Sequence, residues 1–162
     1  MARERQGSGR HDNPESYGAL YLTRSAESAV AERLQAFRGR TVGDALFARP
    51  GGAVYALASL DDPEAGGLVD LDDPDELSAR RLRPSQVASR HRAVTQPIAL
   101  ALFDEGADGL SWWSVLEASW TNVTLFAERA AASLAETAPP EPLAVTHPAV
   151  RAAAEEIGVT LA

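Results

Sequence analysis

Short apolar runs, each the length of a strand, outnumber long helical patterns in this chain, and no strand–helix–strand spacing repeats. That rules against a doubly wound parallel sheet and predicts one mixed α+β domain. Strand signals fall at Ala19–Leu22, Leu68–Leu71, Gly109–Trp113, Asn122–Phe126 and Leu143–Thr146. Two further runs, Val42–Phe47 and Val54–Leu60, flank Arg-Pro-Gly-Gly and read as a hairpin or adjacent strands. Between the runs, Ser25 caps a helix to about Phe37, with Ala26, Ala29, Val30, Leu34 and Phe37 on one face and Gly39 closing it. Asp72-Asp73-Pro74 opens a helical piece through Leu82. The pattern is helical again from Pro84 to Glu105, with Val87, Val94, Ile98 and Leu102 on the apolar face. Pro97 costs about 3 kcal/mol in a helix interior, so a break is expected just before it. Gly106 ends this piece, Glu128–Glu136 reads as helix, and another helix starts at Pro148.

Composition removes several chemistries. The 162 residues are enough for one domain with its own core. Cysteine is absent, so disulfides, thiol nucleophiles and thiolate metal sites are excluded. His11, His91 and His147 are scattered, and no structural metal is expected. All 15 basic residues are arginine, so neither a Schiff-base lysine nor a phosphate-loop lysine exists. A net charge of −8 disfavours direct nucleic-acid binding. The polar N-terminus lacks a signal-peptide run, and no apolar stretch approaches the roughly 18 residues of a membrane span, so a soluble cytoplasmic protein is expected.

Three residues stand where a strand or loop meets the next element: Arg10, Glu32 and Ser114. A cationic fork, a carboxylate and a hydroxyl suit the gripping of a phosphorylated sugar and the stabilisation of positive charge on its ring. Each has a plainer alternative. Gly7-Ser8-Gly9 lacks the preceding strand and third glycine of a dinucleotide fingerprint, so Arg10 is either a delivered clamp or a solvated arginine of an arm. Glu32, beside Ala29, Val30 and Leu34, is either a surface residue or a site residue at the edge of the buried face. Trp112 and Trp113 must point to opposite sides of a strand, one into the core and one toward a pocket or interface. Ser114 has no triad partners and no Gly-x-Ser-x-Gly around it, so it is a hydrogen-bonding residue and not an acyl nucleophile. The acids Asp70, Asp72, Asp73, Asp75 and Glu76 lack calcium-loop spacing and read as a solvated helix start.

Several pieces together resemble the RES-domain family. Gly9-Arg10-His11-Asp12 is similar to its Gly-Arg-aromatic-Asn/Asp segment, and Leu20-Tyr21-Leu22-Thr23 with Ala29-Val30-Ala31-Glu32 to its Leu-Tyr-Leu-Ala strand and the Ala-x-x-Glu helix after it. Thr95-Gln96 matches the Thr-Gln of its long helix. Asp108-Gly109-Leu110-Ser111-Trp112-Trp113-Ser114 resembles its Asp-Gly-Ile-x-Tyr-x-Ser strand, and Asn122-Val123-Thr124-Leu125-Phe126 its closing Asn-x-x-Leu-Phe. Two departures are visible: His11 replaces the usual aromatic, and only nine residues precede Arg10 where relatives usually carry a further strand.

The resemblance implies a fold like the ADP-ribosyltransferase toxins and cleavage of the nicotinamide–ribose bond of NAD, with phosphate, water or a protein side chain as acceptor. It implies catalytic roles for Glu32, Arg10 and Ser114, and NAD contacts from Arg10, Tyr21, Ser114 and Asn122. It also implies a toxin–antitoxin setting, with an antitoxin partner carrying an Xre-type DNA-binding domain; oligomerisation is left open. The NAD-binding domain is expected over residues 1–138, beginning with a flexible arm at 1–9. A Pro-rich linker and a strand–helix extension, 139–162, would pack on the same domain. The alternative is a RES-like scaffold that binds a partner without turnover.

Overall fold

Helix starts and stops follow local chemistry closely in the computed structural model, which describes residues 3–61 and 67–162. The elements in chain order are β1 (Ala19–Thr23), α1 (Ala26–Leu34), β2 (Thr41–Val42), β3 (Ala56–Leu57), β4 (Leu60–Asp61) and β5 (Leu68–Asp70). There follow α2 (Pro74–Ala79), α3 (Pro84–Val87), α4 (Arg92–Asp104), β6 (Gly109–Trp113) and β7 (Thr121–Phe126). The chain ends with α5 (Ala127–Ala130), β8 (Ala135–Glu136), β9 (Glu141–Pro142), α6 (Pro148–Ile157) and β10 (Thr160–Leu161). The fold class is α+β. Ser25 caps α1 by accepting the Ser28 N–H at 3.1 Å, and Asp73 caps α2 by accepting that of Asp75 at 2.8 Å.

The chain forms two compact units. The first joins the chain up to Leu22 to the stretch ending at Leu134; the second joins Thr23–Asp61 to Ala135–Ala162.

The first unit holds a four-stranded sheet in the order β1-β7-β6-β5. Strands β6 and β7 are antiparallel, with Trp112 opposite Asn122 and Leu110 opposite Thr124. Strands β5 and β6 are parallel, so they need a long crossover, and α2 to α4 supply it. Val123 and Leu125 pack on one face of the sheet with Leu20, Leu22 and Leu68. On the other face Phe126, Leu110 and Trp112 join Tyr17, Leu71, Ala99 and Leu102 in the main core. Each fully buried large side chain contributes about 1.5–3 kcal/mol. Strand β6 approaches its neighbour closely at Gly109, where a Cβ would lie 2.3 Å from the Thr124 carbonyl oxygen.

The N-terminal arm is hydrogen-bonded to this unit over its described residues. Gln6 exchanges two hydrogen bonds with the Ala19 backbone (2.9 and 2.8 Å), and Arg3 pairs with Glu128. Met1 and Ala2 of the expected arm lie outside the described residues.

In the second unit α1 packs against α6. Val30, Ala31 and Leu34 are buried on α1, and Ala149, Val150, Ala153, Ala154 and Ile157 on α6. Pro148 opens α6 behind its cap His147, and Gly158 closes it in the left-handed region at φ +73°. Strand β2 pairs in parallel with β10, while β3 and β4 pair antiparallel with β9 and β8.

Several sequence expectations are corrected. The hairpin across Arg-Pro-Gly-Gly does not form: only an isolated Ala48–Val54 bridge remains, and Asp44–Leu46 is a helical turn. The strand-forming residues there take partners from beyond residue 134, which no local turn signal announces. The break expected before Pro97 falls at Ala88–His91, where the Ser89 hydroxyl accepts the His91 N–H at 3.1 Å and turns the chain. Pro97 stays inside α4. Helix α2 stops at Ala79 rather than Leu82, followed by Arg81 at φ +54°. The helix expected over Glu128–Glu136 is a single turn, because the Ser133 hydroxyl donates to the Ala130 carbonyl and Ala135–Glu136 pairs with β4. The strand expected at Leu143–Thr146 lies earlier, at Glu141–Pro142, since Asp44 takes the Val145 N–H at 2.7 Å.

Candidate functional site

The loop from Gly7 to Asn13 owes its shape to one carboxylate. Asp12 Oδ2 accepts the N–H groups of Gly7 and Gly9, each at 2.7 Å, and Oδ1 accepts the Tyr21 hydroxyl at 2.6 Å. A Cβ on Gly9 would stand 2.5 Å from both Asp12 Oδ1 and the Tyr21 oxygen, so only glycine fits. The Tyr21 oxygen in turn accepts the His11 N–H at 2.9 Å.

Helix α4 holds the loop from the other side. Thr95 Oγ1 donates to the Arg10 carbonyl at 2.5 Å, and Gln96 Nε2 donates to the carbonyls of Gly9 (3.0 Å) and Gly7 (3.2 Å). Asn13 Nδ2 donates to the Gln96 carbonyl at 3.0 Å, and the Tyr17 hydroxyl to that of His11 at 2.7 Å. A loop is therefore fixed as firmly as a strand, because its backbone groups find partners on both sides.

His11 projects inward. It is 2% exposed, with Nδ1 2.9 Å from Thr124 Oγ1 and its ring edge-on to Trp112 at 4.6 Å between centroids. The ring also lies roughly parallel to that of Tyr21, 6.4 Å away. Burial, with the Arg10 and Arg92 charges outweighing that of Asp12, pushes the His11 pKa down to about 3. The imidazole is thus neutral at physiological pH. Burial alone would raise the Asp12 pKa, but its hydrogen bonds from Tyr21, Gly7 and Gly9 outweigh that and hold it below the usual value. Burial and the bond to Asp12 push the Tyr21 hydroxyl up, so it stays protonated and donating.

Four of the five sequence-predicted residues lie in the first unit. Arg10 rides on the loop with Nη1 donating to the carbonyls of Val87 (3.0 Å) and Ser89 (2.6 Å), so its guanidinium is oriented by the chain after α3. Tyr21 keeps its hydroxyl in the network while the residue as a whole is 45% exposed. Asn122 is buried opposite Trp112 and shares a sheet face with Thr124, the partner of His11. Ser114 is buried just past β6; its N–H donates to the Trp120 carbonyl at 2.7 Å, and its Oγ accepts the Leu116 N–H at 3.1 Å. It therefore closes the turn between β6 and β7. Glu32 stands on α1 in the second unit, exposed, with Oε2 accepting the Gln35 side-chain amide at 2.7 Å. Of the tryptophans, Trp112 is in the core and Trp113 is partly buried against it.

Sequence reasoning gave no role to Asp12, Thr95, Gln96 or Thr124, although each lies in a stretch singled out by resemblance. A usable signal existed for Asp12: a short acceptor just after a Gly-x-Gly is suited to bonding the backbone behind it.

A family model described as RES domain matches residues 2–146. No curated protein and no solved structure matches the chain. The matched stretch contains the whole loop network, Arg10, Glu32 and Ser114, and ends before α6.

Proposed function

The chain belongs to the RES-domain family, and from that premise we propose that it acts on NAD, breaking the bond between nicotinamide and ribose. The observation that supports this most is the joining of Gly9-Arg10-His11-Asp12, Tyr21, Thr95-Gln96 and Thr124 into one hydrogen-bonded network. Such a network presents an oriented arginine and an exposed tyrosine on a rigid support, which favours binding by reducing the entropy lost when a ligand docks.

In the proposed reaction the C–N glycosidic bond breaks and its electron pair stays on the nicotinamide ring nitrogen. That nitrogen is cationic in NAD and neutral in the product, so departure needs no acid. Positive charge develops on the ribose, as at other glycosidic carbons. Glu32 would stabilise that charge, Arg10 would hold a phosphate or ribose, and Ser114 and Asn122 would orient the nicotinamide end. The acceptor then bonds to the ribosyl carbon and loses its proton: phosphate, water or a protein side chain. A toxin held in check by an antitoxin with an Xre-type DNA-binding domain is the setting that goes with this activity.

The test is release of nicotinamide from NAD by the purified protein, with and without phosphate. Wild type should consume NAD, and Glu32→Gln should lose at least a hundredfold in rate with an unchanged melting temperature. Full turnover by folded Glu32→Gln would remove the role of Glu32. No turnover by folded wild type in either buffer would leave a partner-binding module instead.

A further inference from the structure

Residues 77–103 contain five arginines and no Asp or Glu, in a chain whose net charge is −8. This basic stretch and the Gly7–Asn13 loop clasp each other reciprocally. Arg10 reaches from the loop to the carbonyls of Val87 and Ser89. Arg92, the first residue of α4, reaches back with Nε to the Ser8 carbonyl at 2.9 Å, while its Nη1 donates to the Arg90 carbonyl at 3.0 Å. Carbonyl acceptors orient the Arg92 guanidinium without neutralising it. Among the described residues no carboxylate lies within ion-pair distance of Arg92. Its Nη2 makes no hydrogen bond there, and the residue is exposed. The charges of Arg10 and Arg92 both bear on the same buried ring, His11, which brings them to one neighbourhood. Helix α4 begins at Arg92 without a side-chain cap, so the positive end of its dipole adds to the same potential.

Resting on the NAD reading above, we infer that Arg92 is a second anion-gripping residue, which binds the diphosphate of the dinucleotide through Nη2 alongside Arg10. Two anchored guanidiniums match two linked phosphoryl groups better than an uncharged ribose, and the backbone bonds fix their orientation before a ligand arrives.

Inorganic pyrophosphate titrated by calorimetry tests this without any need for turnover. Wild type should bind it, and Arg92→Ala should bind about tenfold more weakly or worse, as expected when a charge-assisted hydrogen bond is lost. Arg92→Lys, which keeps the charge but not the fork, should fall between. In the NAD assay, Arg92→Ala should raise KM by a similar factor with little change in kcat, the pattern of lost uniform binding. Wild type that binds no pyrophosphate, or Arg92→Ala that binds it as wild type does, would overturn the inference whatever the NAD assay gives. Pyrophosphate binding that depends on Arg92, in a protein that releases no nicotinamide, would keep the anion site and remove the NAD reading. Should Arg92→Ala fail to fold, Arg92→Gln, which retains most of the stem and an N–H₂ group, takes its place in both measurements.

Discussion

His11 shows how one buried ring links pH to stability. Its pKa is near 3 in the folded chain and near the usual 6.5 when unfolded, so the unfolded state binds the extra proton first. The contribution is fully present above about pH 6.5 and is lost as pH falls toward 3, a range worth on the order of 5 kcal/mol. Asp12 acts in a lower window: its pKa is depressed, so its contribution is lost only below the ordinary carboxylate range. Urea unfolding of wild type should therefore show stability falling between pH 7 and pH 5. In His11→Phe, which restores the aromatic usual in the family, that slope should flatten. The variant should also lose about 1–3 kcal/mol at pH 7, because Thr124 Oγ1 is left without its partner. A wild-type midpoint that does not move between pH 7 and pH 5 would contradict the neutral, buried imidazole.

At the scale of elements, the loop before β1 is held by contacts that leave no room for change. Gly9→Ala sets a methyl 2.5 Å from Asp12 Oδ1 and the Tyr21 oxygen, so the loop or the Tyr21 side chain must shift. We expect a loss of about 1–3 kcal/mol in chemical denaturation, the usual cost of overpacking. Tyr21→Phe removes one of the two obstructing atoms, so the double variant should lose less than the sum of the single losses. Strict additivity would mean that the clash is relieved elsewhere. Helix α4 illustrates a different balance: the Ser89 turn sets its start, and Pro97 is accommodated within it.

At the scale of the molecule, the second unit is assembled from two distant segments. Strands β2, β3 and β4 take their partners β10, β9 and β8 from residues after 134, and α1 takes α6. Helix α1 spans nine residues, too short to persist alone in water. A chain ending at Thr146 lacks α6 and β10, which leaves Val30, Ala31 and Leu34 uncovered. Hydrogen exchange should then show lost protection of the α1 amides, while β6 and β7 keep theirs. Protected α1 amides in the shortened chain would show that α6 is dispensable.

The sequence alone determined what depends on neighbours along the chain. The Ser25 cap, the Pro74 and Pro148 helix starts, and strands β6 and β7 all follow from local hydrogen bonding, proline geometry and period-two patterning, whereas α1 stops at Leu34 and Gly39 gives its N–H to the distant Gly158 carbonyl. It also held the ordered pieces of the RES-domain pattern, because each piece is contiguous. Tertiary structure decided which pieces touch. Asp12, Thr95, Gln96 and Thr124 belong to one network only because the sheet and α4 bring residues from opposite ends of the first unit within hydrogen-bond reach, and such bonds leave no periodicity to read. The pairing of β2 with β10 and the direction of the Arg10 guanidinium have the same origin. In each case the partner is a backbone group far along the chain, and backbone groups are alike in every residue.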